Sequence, residues 1–570
     1  MTVLRRMLSI AVLAAYITVV RGAWGVPSDD EILEILRQRV GERADRIGIV
    51  VGVVEPDGRR VVAHGSPGEH ARRAVDGDTV FEIGSVTKVF TALLLADMAA
   101  RGEVDLDAPV ETYLPAGVDV PERGGRAITL RELAMHHSGL PRLPGNMAPA
   151  DPANPYADYS VEQLYAFLSS YELPRAVGAE YEYSNLGYGL LGQALALAAG
   201  RDFETLVRER ITRPLGMTST AVDLGRRLRA RLAVGHDVRG APTSNWELPT
   251  LAGAGALKST VDDLLTFVAY FLGHEEGPLD DPLDVMLEQR RAALPGLDIG
   301  LAWHAGSGDT GLVWHNGGTG GYRSFIGLDR NAGVGVVVLT NQSTPAGVDD
   351  IGAHLLNPSA PLLPPDSPLL RPPRERTRIT LEPSKLEPLV GRYELVPGVE
   401  IVVSRDGGRL FAELTGQPRF EVFPESETLF FPAGVDADIE FRSDDAGRVH
   451  SLVLRQLGVE QVARRLDGDA DQPDEWFGYR VADVDPSIYD GYVGRYGLTP
   501  ALVFTIAREG NSLFAQLTGQ PRVEIFPASD VLFFYKVTDA QITFEPDETG
   551  TARALVLRQA GQTLRAERID

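Results

Sequence analysis

The chain contains no cysteine. That removes disulfides, thiolate metal sites, a cysteine nucleophile and a lipid anchor on cysteine. Lysine is almost as scarce: in 570 residues it stands only at Lys88, Lys258, Lys385 and Lys536, and arginine carries nearly all the other positive charge. Positive charge as a whole is short, with a formal net charge of −24. Such an excess repels phosphates, so nucleic acid is excluded as a partner and an anionic membrane surface is disfavoured. Long apolar runs are missing after the first 20 residues. The one near the start, 7–20, follows Arg5 and Arg6, is closed by Arg21 and leads into Ala23-Trp24-Gly25. It is shorter than the roughly 20 residues a membrane-spanning helix needs. It reads as a signal peptide, 1–25, cut near Gly25, so the mature chain is expected to be secreted or periplasmic with no stable membrane span.

What is present divides the chain. The β-branched run "IGIVVGVV" (47–54), the turn "EPDG" and "GRRVVAHGS" predict an opening hairpin. Helical spacing follows at 85–100, with Gly102 as its C-cap, and again at 129–136, 160–168, 187–199, 203–210 and 261–272. Strand patterns return in "GLVWHN", "YRSFIGLD" and "GVGVVVLTN". Strands at both ends with helices between predict an α+β domain: an antiparallel sheet closed by pairing the two ends, flanked by helices, with a helical region beside it. This domain is placed at 26–356. Proline at high density in "NPSAPLLPPDSPLLRPPR" denies helix and sheet, so 357–383 is expected to be a linker. After it the chain repeats itself. "LTGQPRFEVFPESETLFF" begins at Leu414 and "LTGQPRVEIFPASDVLFF" at Leu517, 103 residues later. The same shift carries Gly391-Arg392-Tyr393 onto Gly494-Arg495-Tyr496. Short alternating runs broken by turns predict two small antiparallel β-barrels, 384–468 and 487–570, joined by a linker at 469–486. The recurring "LTGQPR" reads as a turn between strands, with a ligand loop as the alternative.

Three stretches carry chemistry. In "FEIGSVTKVFTALLLADM", Ser85 opens a helix and Lys88 follows at i+3, on the same face. Serine needs a base to become a nucleophile, and lysine can be one when desolvated, whereas arginine cannot. The free N–H groups of a helix start favour developing negative charge at Ser85. "EYEYSNLGYG" contributes Tyr183 and Asn185 just before a helix, a proton carrier and an amide that can orient a lysine and a substrate carbonyl. "VWHNGGTGGYRSF" ends a strand with His315, Asn316, Gly317 and Gly318, whose glycines allow a backbone to approach a substrate closely. No Gly-x-Ser-x-Gly elbow occurs.

Ser-x-x-Lys, Tyr-x-Asn and His-x-Gly in this order resemble the serine β-lactamase and penicillin-binding-protein family. The branch most alike holds class C β-lactamases, DD-peptidases, D-aminopeptidases and β-lactamase-like esterases. The phrases "LAMHHSGLP", "RPLGMTST" and "AGALKSTVDDLLTF" strengthen the likeness, which runs from about residue 30 to 356. The repeats are similar to the small β-barrels that follow the catalytic domain in some members. The resemblance implies that Ser85 attacks a carbonyl to form an acyl-enzyme and that Lys88 and Tyr183 share the proton transfers. It implies further that the backbone N–H groups of Ser85 and Gly318 hold the oxyanion, that Asn185 holds the substrate amide, and that His315 supplies polar or positive character beside Tyr183. Water then releases the acyl group, and no metal or organic cofactor is implied. Adjacent His136 and His137 fall in the family's His-x-Ser-Gly-Leu turn and read as structural. Trp303, His304 and His236 are candidates for lining the cleft.

Departures narrow the substrate. Histidine at 315, where β-lactamases of this type usually carry lysine, resembles the peptidases and esterases. Asn316 stands where a threonine often helps hold a substrate carboxylate, which weakens the case for strict carboxypeptidase activity. The expectation is a small peptide, amide or ester substrate, with peptidoglycan one source. A D-amino-acid peptidase or amidase ranks first, an esterase second and antibiotic hydrolysis third. An alternative of another class is a non-catalytic module that binds penicillin or cell wall.

Overall fold

The computed structural model describes residues 25–569 apart from 295, 308–310, 366, 371–375, 397–398, 416–418, 433–436, 457–458, 468–476, 499–502, 519–521 and 560–561. The expected signal peptide, the centre of both "LTGQPR" segments and much of the expected linker between the repeats therefore lie outside the described residues. The chain divides into two compact units that part at Pro372 and Pro373.

The first unit is built on an eight-stranded antiparallel sheet. Its strands are β1 (Gly48–Glu55), β2 (Gly58–Gly65), β5 (Arg291–Leu294), β6 (Leu297–Ile299), β7 (His304–Gly306), β8 (Leu312–Gly318), β9 (Arg323–Asp329) and β10 (Val334–Thr340), in the order β2-β1-β10-β9-β8-β7-β6-β5. A separate two-stranded sheet pairs β3 (Phe81–Glu82) with β4 (Lys258–Ser259). The chain's early and late strands do close on each other: β1 runs antiparallel to β10, with Val51 opposite Val338.

Both faces of the sheet are covered, which is why β1 is buried on successive residues instead of alternating. On one face the Val261–Phe271 helix lies so near that a Cβ on Gly52 or Gly335 would strike Leu265 or Val268. On the other face the Asp349–Leu356 helix presses Gly352 onto Phe325 and Leu356 onto Gly327. Beside the sheet sits the helical region. Its central helix, Thr87–Ala100, is buried on every side from Thr87 to Met98, and Phe90 stacks on Phe267 with ring centroids 3.9 Å apart. Gly102, with φ +71°, ends it in the left-handed conformation a C-cap glycine provides. Sequence spacing places the remaining helices within a few residues. The helix expected at 203–210 ends early, as Phe203–Val207, and continues as a wider π turn over Arg208–Thr212.

The second unit holds two closed antiparallel barrels of eight strands each, from Gly391–Val396 to Val459–Arg465 and from Gly494–Gly497 to Gln562–Arg568. They close identically: Tyr393 opposes Arg465 and Tyr496 opposes Arg568. In both, the closing tyrosine donates its hydroxyl to a backbone carbonyl four residues earlier, at 2.8 Å. Closure removes the free strand edges a small sheet would otherwise expose.

Candidate functional site

Register on β8 decides which side chains meet. His315 opposes Ile326, and Ile326 belongs to the core on the helical side of the sheet. Side chains alternate along a strand, so His315 and Gly317 face the helices while Asn316 faces the Asp349–Leu356 helix. A Cβ on Gly317 would lie 2.1 Å from the Ile83 carbonyl oxygen and 3.0 Å from the Ser85 nitrogen. The strand thus docks directly on the tight turn Gly84–Val86 that carries Ser85. Gly84 adopts φ +49°, and a Cβ there would lie 2.7 Å from the Gly318 nitrogen. The backbones of Gly84, Ser85 and Gly318 are held side by side because the two glycines have no side chains to part them.

Lys88 occupies the first turn of the following helix and is wholly buried. Its Nζ lies 2.9 Å from Ser85 Oγ, 2.9 Å from Asn185 Oδ1 and 2.7 Å from the Ala254 carbonyl oxygen. Burial first, and the charge of Arg142 second, push the Lys88 pKa well below the ordinary lysine value. A neutral amine has two N–H bonds and one lone pair. Ala254 O and Asn185 Oδ1 are pure acceptors, so they take the two hydrogens, and the lone pair is left for the hydroxyl of Ser85.

Tyr183 completes the cluster. Lys88 Nζ lies 4.8 Å from its ring centroid and the Arg142 guanidinium 5.1 Å. The His136 ring stacks on it at 4.3 Å, and His315 stands 6.4 Å away. His136 also accepts the Ser184 backbone N–H at 2.9 Å through Nδ1, so it fixes the segment that carries Tyr183. Asn185 opens the Asn185–Ala199 helix. Its Oδ1 receives Lys88 and its Nδ2 donates to the Tyr156 hydroxyl at 3.2 Å.

Several expectations change here. His315 is wholly buried, and burial together with His304 and Lys88 drives its pKa well below the ordinary histidine value. It is a neutral imidazole donating Nδ1–H to the Asn316 carbonyl at 2.6 Å, polar but not positive. Asn316 gives its amide to the Asp349 carboxylate on the far face of the sheet. Trp303 does not line a cleft: it is fully buried and packs edge-on against Phe271 at 5.2 Å. His236 is buried too, bound through its backbone to Asn341 and Gly321 instead of to the Ser85 cluster. His304 does sit behind His315, ring centroids 5.3 Å apart, with Nε2 3.3 Å from the Tyr181 hydroxyl. Burial holds its pKa down at about 4. Among the described residues no group of histidines and carboxylates could hold a metal ion, and His137 instead bonds the Met135 carbonyl.

Sequence reasoning missed Arg142, Tyr156 and the Ala254 carbonyl. Tyr156 and Arg142 lie in loops with no periodicity, and a backbone carbonyl leaves no side-chain signal. The nearest signal was the phrase "LAMHHSGLP", which ends at Pro141, one residue before Arg142.

Comparison with known proteins bears on family and fold. The family model described as Beta-lactamase matches residues 35–358, and a domain of unknown function (DUF3471) matches twice, at 375–477 and 480–568. The D-alanyl-D-alanine-carboxypeptidase/endopeptidase AmpH of Escherichia coli (strain K12) is 31% identical over 313 residues, 52% of this chain and 80% of its own length. Penicillin-binding protein 4* of Bacillus subtilis (strain 168) is 26% identical over 469 residues, 76% of this chain and 98% of its own. The solved structure of a β-lactamase/D-alanine carboxypeptidase from Yersinia pestis, complexed with citrate, superposes with TM-score 0.51 at 24% identity, over 58% of this chain and 99% of that one. That likeness concerns the fold alone. With the family model spanning more than half of the sequence, the chain belongs to the β-lactamase family of serine hydrolases.

Proposed function

We propose that this chain is a secreted hydrolase that cleaves amide bonds at D-amino acids through an acyl-enzyme on Ser85. The observation that carries the reading is the position of Lys88 Nζ, 2.9 Å from Ser85 Oγ, with Asn185 Oδ1 and the Ala254 carbonyl oxygen as its other partners. Neutral Lys88 takes the Ser85 proton as the oxygen attacks the substrate carbonyl. The oxyanion forms beside the backbone N–H groups of Ser85 and Gly318, where losing one donor costs ~10²–10³ in turnover. Lys88 passes that proton on to Tyr183 as Tyr183 hands its own to the leaving nitrogen. Water then attacks the acyl-enzyme, and the same groups return the proton to Ser85.

The activity named for the Escherichia coli relative supports a D-alanyl peptide as substrate. Ester hydrolysis is a second reading, favoured by one observation: Asn316 is tied to Asp349, so the position that often holds a substrate carboxylate is occupied from behind. Arg5, Arg6 and the apolar run at 7–20 support export, and no helix of the described residues is long and apolar enough to cross a membrane. The test is to assay the mature protein and Ser85→Ala on a nitrophenyl ester, a D-alanine anilide, a D-Ala-D-Ala peptide and a chromogenic cephalosporin. Turnover of the anilide or the peptide by wild type alone supports the proposal. Equal inertness of both proteins on all four sinks it in favour of a binding module.

A further inference from the structure

Resting on that reading of the site, we infer that Arg142 recognises a carboxylate of the substrate close to the bond being cleaved. In the first unit half-buried or buried arginines such as Arg39, Arg131, Arg175, Arg231 and Arg291 pair with Asp350, Asp107, Glu182, Asp78 and Glu132, while Arg43 is held by Gln342 and two backbone carbonyls. Arg142 is half-buried too, yet among the described residues its guanidinium has no ion pair and no hydrogen bond. This is unexpected in a chain with 79 acidic residues against 55 basic ones. A partly desolvated charge whose described contact is the face of the Tyr183 ring keeps its N–H donors available for a partner from outside the chain.

Its place says what that something is. The Arg142 guanidinium stands 5.1 Å from the Tyr183 ring centroid, and its charge is felt by Lys88 and Tyr156. It is therefore within reach of a substrate seated on Ser85. The backbone at Arg142 is fixed as well: its carbonyl accepts the N–H groups of Asn185 and Leu186 at 3.0 and 3.1 Å. The side chain is presented from a rigid point at the start of the Asn185–Ala199 helix. A planar fork of N–H donors matches a carboxylate. The opposite side of the site offers no substitute, because Asn316 donates to Asp349 and leaves an acceptor and an acid there. Carboxylate recognition has thus moved from the strand position at 316 to the loop position at 142.

The experiment uses matched substrates. N-succinyl- and N-acetyl-D-alanine anilides differ by a carboxylate on the acyl side. A D-Ala-D-Ala peptide and its C-terminal amide differ on the leaving side. Wild type is expected to favour the charged member of one pair by about 10- to 100-fold in kcat/KM, the range of a charge-assisted contact. Arg142→Gln is expected to abolish that preference and Arg142→Lys to restore part of it, with thermal unfolding confirming that both variants fold. In parallel, calorimetry on Ser85→Ala with N-succinyl-D-alanine reads binding without turnover, and Arg142→Gln in that background is expected to weaken it. A preference that survives Arg142→Gln overturns the inference while leaving the hydrolase intact. A change in the pH profile that is equal for both members of a pair also overturns it, because Arg142 would then act only on Lys88. If wild type turns over nothing but Ser85→Ala binds the succinyl compound through Arg142, the inference stands and the hydrolase reading falls.

Discussion

Lys88 is the residue whose chemistry depends most on where it lies. Burial favours its neutral form, and only that form can accept the Ser85 proton. Activity is therefore expected to be full above the lowered Lys88 pKa and to fall as pH drops through it, because protonation removes the lone pair. A kcat/KM profile measures this directly, and Lys88→Arg should lower the plateau about 10²–10⁴-fold at every pH. A plateau that survives the exchange would mean another base. His304 makes the opposite contribution visible in stability. Its pKa is about 4 folded against 6.5 for the free group, so the unfolded chain binds the extra proton between these values. The stability it contributes is complete above about pH 6.5 and is lost as pH falls towards 4, about 3 kcal/mol in all. Urea unfolding at pH 7 and 4.5 should show that loss, and His304→Gln should shrink it.

At the scale of elements, the site is a contact between a turn and a strand. Gly317 and Gly84 let β8 lie against the Ser85 turn with no side chain between. Gly317→Ala is expected to push the strand away from the Ile83 carbonyl, at about 1–3 kcal/mol in stability and with a larger loss in kcat than in KM. Gly102→Ala is the control. It too has positive φ, but nothing lies within 4 Å of the added methyl, so strain of about 1 kcal/mol and unchanged kcat are expected. If the two variants lose kcat alike, the close approach at Gly317 does not position Ser85. The same elements explain His136. It reads as a turn residue in sequence, yet its ring stacks on Tyr183 because the turn's left-handed φ of +60° points it back into the site.

Across the whole molecule, the two barrels of the second unit are copies that have diverged where they touch. Val462 packs with Val453 against Phe534 of the second barrel, and its N–H donates to the Val537 carbonyl at 3.0 Å. The equivalent of Val462 in the second copy is Arg565, paired with Glu545 at 2.7 Å on an exposed surface. One position thus serves an apolar interface in one copy and a solvated ion pair in the other. Val462→Asp should cost about 2–5 kcal/mol by burying an unpaired charge, read as a lower urea midpoint for the barrel pair. Arg565→Asp should change stability far less, and equal effects would mean that the Val462 contact does not hold the barrels together.

How much was legible beforehand follows from the range of each interaction. Period and turn chemistry act within a few residues, so the strands around Val51 and Val338, the helix after Ser85 and the repeat of Tyr393 as Tyr496 could all be read from order alone. Lys88 could be singled out as well, because an i+3 pair on a helix is a local fact and lysine is rare here. The charge state of His315, the diversion of Asn316 to Asp349, the burial of Trp303 and the unpaired Arg142 could not. Each depends on which face of β8 a side chain takes and on what residues far away in the chain do to its solvation. Order along the chain was enough to read the elements and to single out the Ser85–Lys88 pair; which groups carry charge and which can meet a substrate depended on packing across the fold, because desolvation and pairing are set there.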